Sequence, residues 1–533
     1  MRPARVLLGV AALSARPCLT AAQPASAAPR PDFAAVRDLT RRAMAADSVP
    51  ALAVAVARGG RVVWAEGFGA VDAAGRVPAT ARTPFPVASV TKAFTATAIL
   101  GLAGRGRLAL DRPANAYLAP GARLASAGPW DPAGATVRRL LTHTGGLTTF
   151  ARTCPADRAG CGPAQMDTTI RRYGVLMWPA GDHFDYTNLG YGVLGAVAAH
   201  AAGRPLAALL RDDVFGPLGL DDASLGLDAV RTSAQRAAAL PTRRGTHPRG
   251  DPGSFTPGAS DGYASARDLA RFGLVALGTA RPSRGPDAGA ATRAAVACAV
   301  TPTGGAGRYG CGWWVEPDYH GVRSILAQGG TDAASARLRL VPDAGLAVAV
   351  VANAGTLVPD RVIEAVLDAL LPGFRTRRVR DSTAAATPST TQVSGAPVAS
   401  APPAALVGVW IGAVRTPHGA VPITLTVSPS GVARAPSGVA RGRLGTAPDA
   451  TLREVELGPA DTTGAGPRSA HLGGRLSGDL YVADDAGPGP YDVYVELYRR
   501  GESLVGTATT LPGAAAPNGA LLSYAVVLRH GAP

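Results

Sequence analysis

One residue type is almost absent from this chain. Lys92 is the only lysine in 533 residues, although Lys and Arg together number 53. It stands in Ser89-Val90-Thr91-Lys92, three positions after a serine. Residues three apart share a helix face, so the amine is placed one turn from the hydroxyl. A serine is a poor nucleophile until a base stands beside it. An amine gives up its proton where burial disfavours charge, whereas a guanidinium does not. The pair therefore reads as nucleophile and general base. A helix start would add free backbone N–H groups that favour developing negative charge at Ser89. Ser-x-x-Lys alone is a weak motif. Its coincidence with the single lysine gives it weight.

A second group follows the turn Pro179-Ala180-Gly181, where Tyr186-Thr187-Asn188 sets a phenol and an amide side by side. Tyr186 suits a proton shuttle between serine, lysine and leaving group if the lysine's charge lowers its pKa. Asn188 suits binding a substrate amide or orienting Lys92. The competing reading is a buried Tyr–Asn hydrogen-bond pair in a loop. His143 lies in the Thr/Gly turn of Leu140-Leu141-Thr142-His143-Thr144-Gly145-Gly146-Leu147. It is read as structural, a Ser-His-Asp triad being the alternative. No P-loop, dinucleotide fingerprint or paired-histidine metal motif appears, so neither metal nor organic cofactor is expected.

These groups need a framework. At 47% hydrophobic but 5% aromatic, the core must be built from Ala, Val and Leu. The length exceeds one ordinary domain, and two folded units are expected. The runs 51–57 and 61–67 flank Arg58-Gly59-Gly60 as a hairpin, and 336–341 with 346–352 form a second. Helices are expected over 89–103, 189–202, 266–277 and 362–371. Strands at both ends with helices between them imply an α+β domain whose terminal segments pair into one antiparallel sheet. Residues 376–403 are rich in Ser, Thr, Ala and Pro and read as a flexible linker. From 404 to 533 short strands at 407–411, 422–427, 478–482, 491–497 and 521–528 imply an all-β barrel or sandwich.

The N-terminus has Arg2 and Arg5, an apolar run over 6–15, and Ala25-Ser26-Ala27 as a cleavage site. Residues 1–28 therefore read as a secretory signal, which leaves 29–375 as the first domain. No later stretch is long enough to span a membrane. The expected location is secreted or cell-envelope. Four cysteines remain: Cys154, Cys161, Cys298 and Cys311. Short loops favour pairs 154–161 and 298–311, free buried thiols being the alternative, and a metal site is not expected. The net charge of +15 is carried by scattered arginines, densest at 375–380, with no aromatic-interleaved stripe. A nucleic-acid partner is not expected; weak contact with anionic cell-envelope polymers is the mild possibility, beside a small-molecule or peptide substrate.

Ser89-x-x-Lys92 followed about a hundred residues later by Tyr186-x-Asn188 resembles the first two motifs of class C β-lactamases, and of related DD-peptidases and esterases of the penicillin-binding-protein fold. Leu140–Leu147, Tyr186–Tyr191, Ala264–Leu269 and Tyr309–Trp313 are similar to segments of that family, in the same order. The resemblance spans 35–371. It implies a β-lactamase-like sheet flanked by helices and an acyl-enzyme on Ser89. The third motif departs from it. The family has Lys or His, a small residue and Gly; here stand Ala327, Gln328 and Gly329, then Gly330. The resemblance places the oxyanion hole at the N–H groups of Ser89 and Gly330, with Gln328 as a side-chain donor. Loss of the basic residue favours an esterase or peptidase over a β-lactamase. It also leaves open a catalytically degenerate binding protein. The C-terminal part, with Gly408–Gly412 and Leu504–Gly506, resembles the lipocalin-like domain appended to such hydrolases.

Overall fold

The structure is a computed structural model. It describes residues 31–72, 75–147, 163–182, 184–226, 256–282, 286–298, 301–302, 307–331, 333–375, 377–378, 406–416, 419–428, 440–444, 450–451, 453–459, 470–478, 491–511 and 523–531. The signal-peptide reading, Cys154, Cys161 and nearly all of the linker lie outside these residues.

The strand Ala51–Arg58 alternates Ala on one face with Leu or Val on the other, and seven of its eight residues are buried. It pairs with Arg61–Gly69 on one side and with Leu346–Ala352 on the other, both antiparallel. The sheet continues through Ala334–Val341, Val322–Thr331, Trp313–Tyr319, Arg308–Gly310 and Thr301–Pro302. The two ends of the domain thus meet in one antiparallel sheet, as the hairpin signals require.

Each face of that alternation has its own partner. Leu52, Val54, Val56, Val348 and Val350 pack with Val362, Val366 and Leu367 of the helix Val358–Leu370 and with Val36 and Met44 of the helix Ala34–Asp47. Ala51, Ala53, Ala55, Ala57, Ala347 and Ala349 face the helix Ala266–Ala276, beyond which lies the serine helix Thr91–Gly104. Small residues on this side let a helix approach closely. At Gly273 an added Cβ would lie 2.8 Å from the Ala347 Cβ. Burial of this apolar surface, at about 25 cal/mol per Å², is the main force fixing that helix against the sheet, and the serine helix packs behind it, with Phe94 4.9 Å from Phe272.

Two helix boundaries differ from the sequence pattern. The serine helix begins at Thr91, with Ser89 in the turn before it, because Ala88 takes a left-handed φ of +44° and bends the chain out of the strand Phe85–Ala88. The last helix begins at Val358 rather than 362, with Pro359 in its first turn, where its missing N–H costs nothing.

The C-terminal strands form one nine-stranded antiparallel sheet, with Gly408–Thr416 between Gly419–Val427 and Ser523–His530. Trp410, Val414, Leu425, Val495, Leu497, Leu504, Val526 and Leu528 are buried in its interior. The Trp410 indole donates to the Leu406 carbonyl at 2.8 Å. Ala470–Gly478 forms a strand, and the rest of the strand expected over 478–482 lies outside the described residues. Ser503–Leu511 forms a further strand that the pattern did not mark, Gly506 interrupting it.

Candidate active site

The candidate nucleophile Ser89 sits at a strained bend. Ala88 has φ +44°, a region that an L residue other than Gly rarely occupies. Thr91 Oγ1 donates to the Ala88 carbonyl at 2.6 Å and accepts from the Gly262 N–H at 2.9 Å, which fixes the bend from both sides. The Lys92 N–H then donates to the Ser89 carbonyl at 3.1 Å, completing the turn.

Lys92 is 1% exposed. Its Nζ lies 3.0 Å from Ser89 Oγ, 2.6 Å from Asn188 Oδ1 and 3.1 Å from the Ala259 carbonyl. Burial drives its pKa well below the usual lysine range, opposed by the charge of Asp261. A neutral amine has two N–H groups and one lone pair. The Asn188 and Ala259 oxygens take the two hydrogens, and the lone pair is left for the Ser89 hydroxyl. Asn188 therefore orients the lysine. It is held in the first turn of the helix Asn188–Ala202, whose N-cap Thr187 accepts from the Gly190 N–H.

Tyr186 hydrogen-bonds to Ser89, and Lys92 Nζ stands 4.8 Å from its ring centroid. Burial pushes the phenol up to about 12, outweighing the Ser89 hydrogen bond that lowers it. This corrects the expectation that lysine charge would lower it. A neutral amine supplies no such charge, and desolvation prevails. Tyr186 is a protonated donor, not a phenolate.

One histidine holds that tyrosine on both sides. The Asp185 N–H donates to the His143 carbonyl at 2.8 Å, and the Thr187 N–H donates to His143 Nδ1 at 3.1 Å. The rings of His143 and Tyr186 lie 4.3 Å apart. His143 is fully buried, and desolvation holds its pKa well below the usual imidazole range. Nδ1 is thus an acceptor. Among the described residues Nε2 meets no hydrogen-bond partner. Among the described residues no carboxylate orients the ring, so the geometry is that of a positioning residue.

The third-motif strand crosses the serine turn. An added Cβ on Gly329 would lie 2.2 Å from the Val87 carbonyl and 2.7 Å from the Ser89 nitrogen, so only glycine fits. Gly330 is exposed and faces open space. Gln328 is half-buried beside it. Ala327 is 1% exposed within the core and supplies no polar group. Trp314, on the neighbouring strand, stacks on Tyr186 at 6.0 Å, with Phe184 6.0 Å from Trp314. The nearby cation Arg337 is committed: it donates to the Gly329 carbonyl at 2.9 Å and pairs with Asp360 at 2.9 Å.

The sequence pattern did not reveal Ala259, Asp261, Arg337 or Trp314. Ala259 acts through its backbone, which leaves no mark in residue type. Asp261 is buried and pushed up to about 7 by desolvation. Of the cysteines, 298 and 311 are joined, with Cα atoms 5.6 Å apart. Beyond Cys311, Gly312 (φ +86°) lies against the Lys92 carbonyl and Ala93 backbone, where a Cβ would come within 2.9 Å.

Comparison with known proteins places the chain among named relatives. The chain is 31% identical over 248 residues to the esterase EstB of Burkholderia gladioli, covering 40% of this chain and 62% of the esterase. It is 30% identical over 185 residues to a D-aminopeptidase of Brucella anthropi, covering 34% of each. Aligned regions thus span less than two thirds of either relative. Among solved structures, the octameric penicillin-binding protein homologue from Pyrococcus abyssi superposes with a TM-score of 0.55 at 18% identity, over 93% of this chain and all of that one. A class C beta-lactamase gives 0.53 at 21% identity, over 63% and 96%. The Beta-lactamase family model matches residues 36–372, and over that span, which holds Ser89, Lys92, Tyr186 and Asn188, the chain belongs to the Beta-lactamase family.

Proposed function

We propose that the protein is a serine hydrolase that opens esters or amides through an acyl-enzyme on Ser89. The observation that carries this reading is the set of three contacts at Lys92 Nζ, which leaves one lone pair for the Ser89 hydroxyl. Lys92 takes the Ser89 proton as Oγ attacks the carbonyl carbon. The N–H groups of Ser89 and Gly330 receive the developing oxyanion. Tyr186 donates its proton to the departing oxygen or nitrogen, and the Lys92 ammonium restores it. Water then attacks the ester carbonyl, returns a proton to Ser89 and releases the acid.

The preferred substrate is an acyl donor without a carboxylate beside the scissile bond. Ala327 offers no cation, and Arg337 is already paired. Phe184 and Trp314 instead present an apolar wall next to Tyr186. This favours an ester over a β-lactam. We further read residues 1–28 as an export signal to the envelope or exterior, and the C-terminal sheet as lipocalin-like. The buried Ala327 also favours a second reading, a binding protein that keeps the fold with little turnover.

Intact-mass labelling tests the proposal. Purified protein is offered a fluorophosphonate and, separately, a penicillin. An adduct on the parent that is absent in Ser89→Ala and slowed in Lys92→Ala supports the hydrolase. Fluorophosphonate labelling without penicillin labelling supports the ester preference. Folded parent that takes neither reagent overturns the hydrolase in favour of the binding protein.

A further inference from the structure

The C-terminal sheet meets the hydrolase domain at one place of consequence. On the strand Tyr491–Arg500, Tyr498 and Arg500 lie two apart and share a face. The Tyr498 ring meets Trp178 edge-on at 5.3 Å. Arg500 forms an ion pair with Asp182, at side-chain exposures of 23% and 14%. Ala525 and Val527, from the strand Ser523–His530, join Tyr498 in an apolar cluster with Ala127, Met177 and Trp178. Ala127 apart, these contacts fall on Met177, Trp178 and Asp182, in the segment just before Tyr186.

The segment passes that grip inward. The Trp178 indole donates to the Asp185 carboxylate at 3.2 Å. The Asp185 N–H donates to the His143 carbonyl, and the Gly181 N–H to the Thr144 carbonyl at 2.7 Å. Trp178 thus touches the C-terminal sheet with its ring and the residue before Tyr186 with its nitrogen. The segment is otherwise a loop, whose order must come from what packs on it.

We infer that the C-terminal sheet is a positioning element of the active site, with Arg500 and Tyr498 holding the 177–185 segment so that Tyr186 meets Ser89. This rests on the hydrolase reading and adds a role to a part of the chain that carries no catalytic group. The ion pair is only partly exposed, so it is screened less than a surface pair. Displacing a catalytic group by about 1 Å costs up to about a hundredfold in rate.

The test is a charge swap on the full chain: Arg500→Asp, Asp182→Arg, and both together, with Arg500→Lys as the conservative variant. Two readouts are taken: kcat and KM for a chromogenic ester, and hydrogen exchange at the Asp185 and Thr187 amides. Each single reversal is expected to lower kcat about tenfold, with KM within about twofold, and to speed exchange at both amides. The double swap and Arg500→Lys are expected to recover most of both, a coupling that a merely structural role would not produce. Singles that leave exchange and kcat unchanged overturn the inference, as does a double swap no better than the singles. If the parent itself neither turns over ester nor labels at Ser89, the hydrolase reading fails. The exchange readout still decides whether the sheet orders the tyrosine segment.

Discussion

His143 separates two mechanisms that predict different mutants. In the structure it accepts the Thr187 N–H at Nδ1 and the Asp185 N–H at its carbonyl, and its φ is +56°. Asparagine tolerates that backbone region and carries an acceptor oxygen at similar reach. Leucine has neither property. His143→Leu removes the Nδ1 acceptor that the Thr187 N–H uses, where Thr187 is 1% exposed, a cost of about 1–3 kcal/mol. Left-handed strain in a residue that favours it less adds about 1 kcal/mol. The expected loss is therefore about 2–4 kcal/mol by urea denaturation, with labelling slowed about tenfold to a hundredfold as Tyr186 drifts. His143→Asn is expected to lose about half of that stability, for the smaller side chain in the aromatic cluster, and to label within about tenfold of the parent. A catalytic base behaves otherwise, since either substitution then removes about 10²–10⁴ in rate. The assay is the time course of fluorophosphonate adduct by intact mass, beside the denaturation curve. A folded His143→Asn as slow as His143→Leu would refute the positioning role.

Lys92→Met tests the cost of burying an amine. The unfolded amine holds its proton near the model value of 10.5 and the folded one releases it well below that, so at neutral pH the buried group opposes folding, and the opposition fades as pH rises towards 10.5. The variant is expected to gain on the parent at pH 7 and to lose that relative gain by pH 10 in paired denaturation curves; a pH-independent difference would count against the depressed pKa. Fluorophosphonate labelling of the parent should accelerate as pH rises through the lowered lysine value, without a decline from Tyr186, which titrates at about 12. Asp268 is buried and titrates at about 7, chiefly through desolvation. Its folded pKa lies above the unfolded 3.8, so it stabilises below that value and the contribution is lost as pH climbs through about 7. Asp268→Asn keeps an acceptor for the Asp222 N–H and should flatten the fall in stability between those limits; an unchanged slope would show that the carboxyl is ionised in the fold. Reducing the Cys298–Cys311 disulfide, which closes a short loop of 13 residues, should cost about 2–3 kcal/mol, measured by denaturation with and without a reductant.

The residues proposed to react were legible because their chemistry is in their side chains. A single lysine three residues after a serine, and a tyrosine two residues before an asparagine, announce themselves. The alternating Ala/Val strand 51–58 revealed both its own conformation and the need for a partner on each face. What stayed hidden acts through the backbone or across long separations. The Ala259 carbonyl that completes Lys92 is 167 residues away, and any residue type could supply it. The Ala88 bend was missed because alanine is a poor signal for a left-handed turn, so the helix was read as starting at the serine itself. The tyrosine pKa was read from charge alone. Burial, which no local pattern reports, reverses its sign.

The solitary lysine makes the reaction centre spectroscopically private. With Lys92 the chain's one lysine and 1% exposed, growth on isotope-labelled lysine places the label at a single side chain. The Cε–Nζ pair then gives one NMR resonance, whose shift with pH reads the protonation of the base directly and with no mutation. The same signal, followed as an acyl group is attached to Ser89, would report the proton's whereabouts at each stage of the cycle.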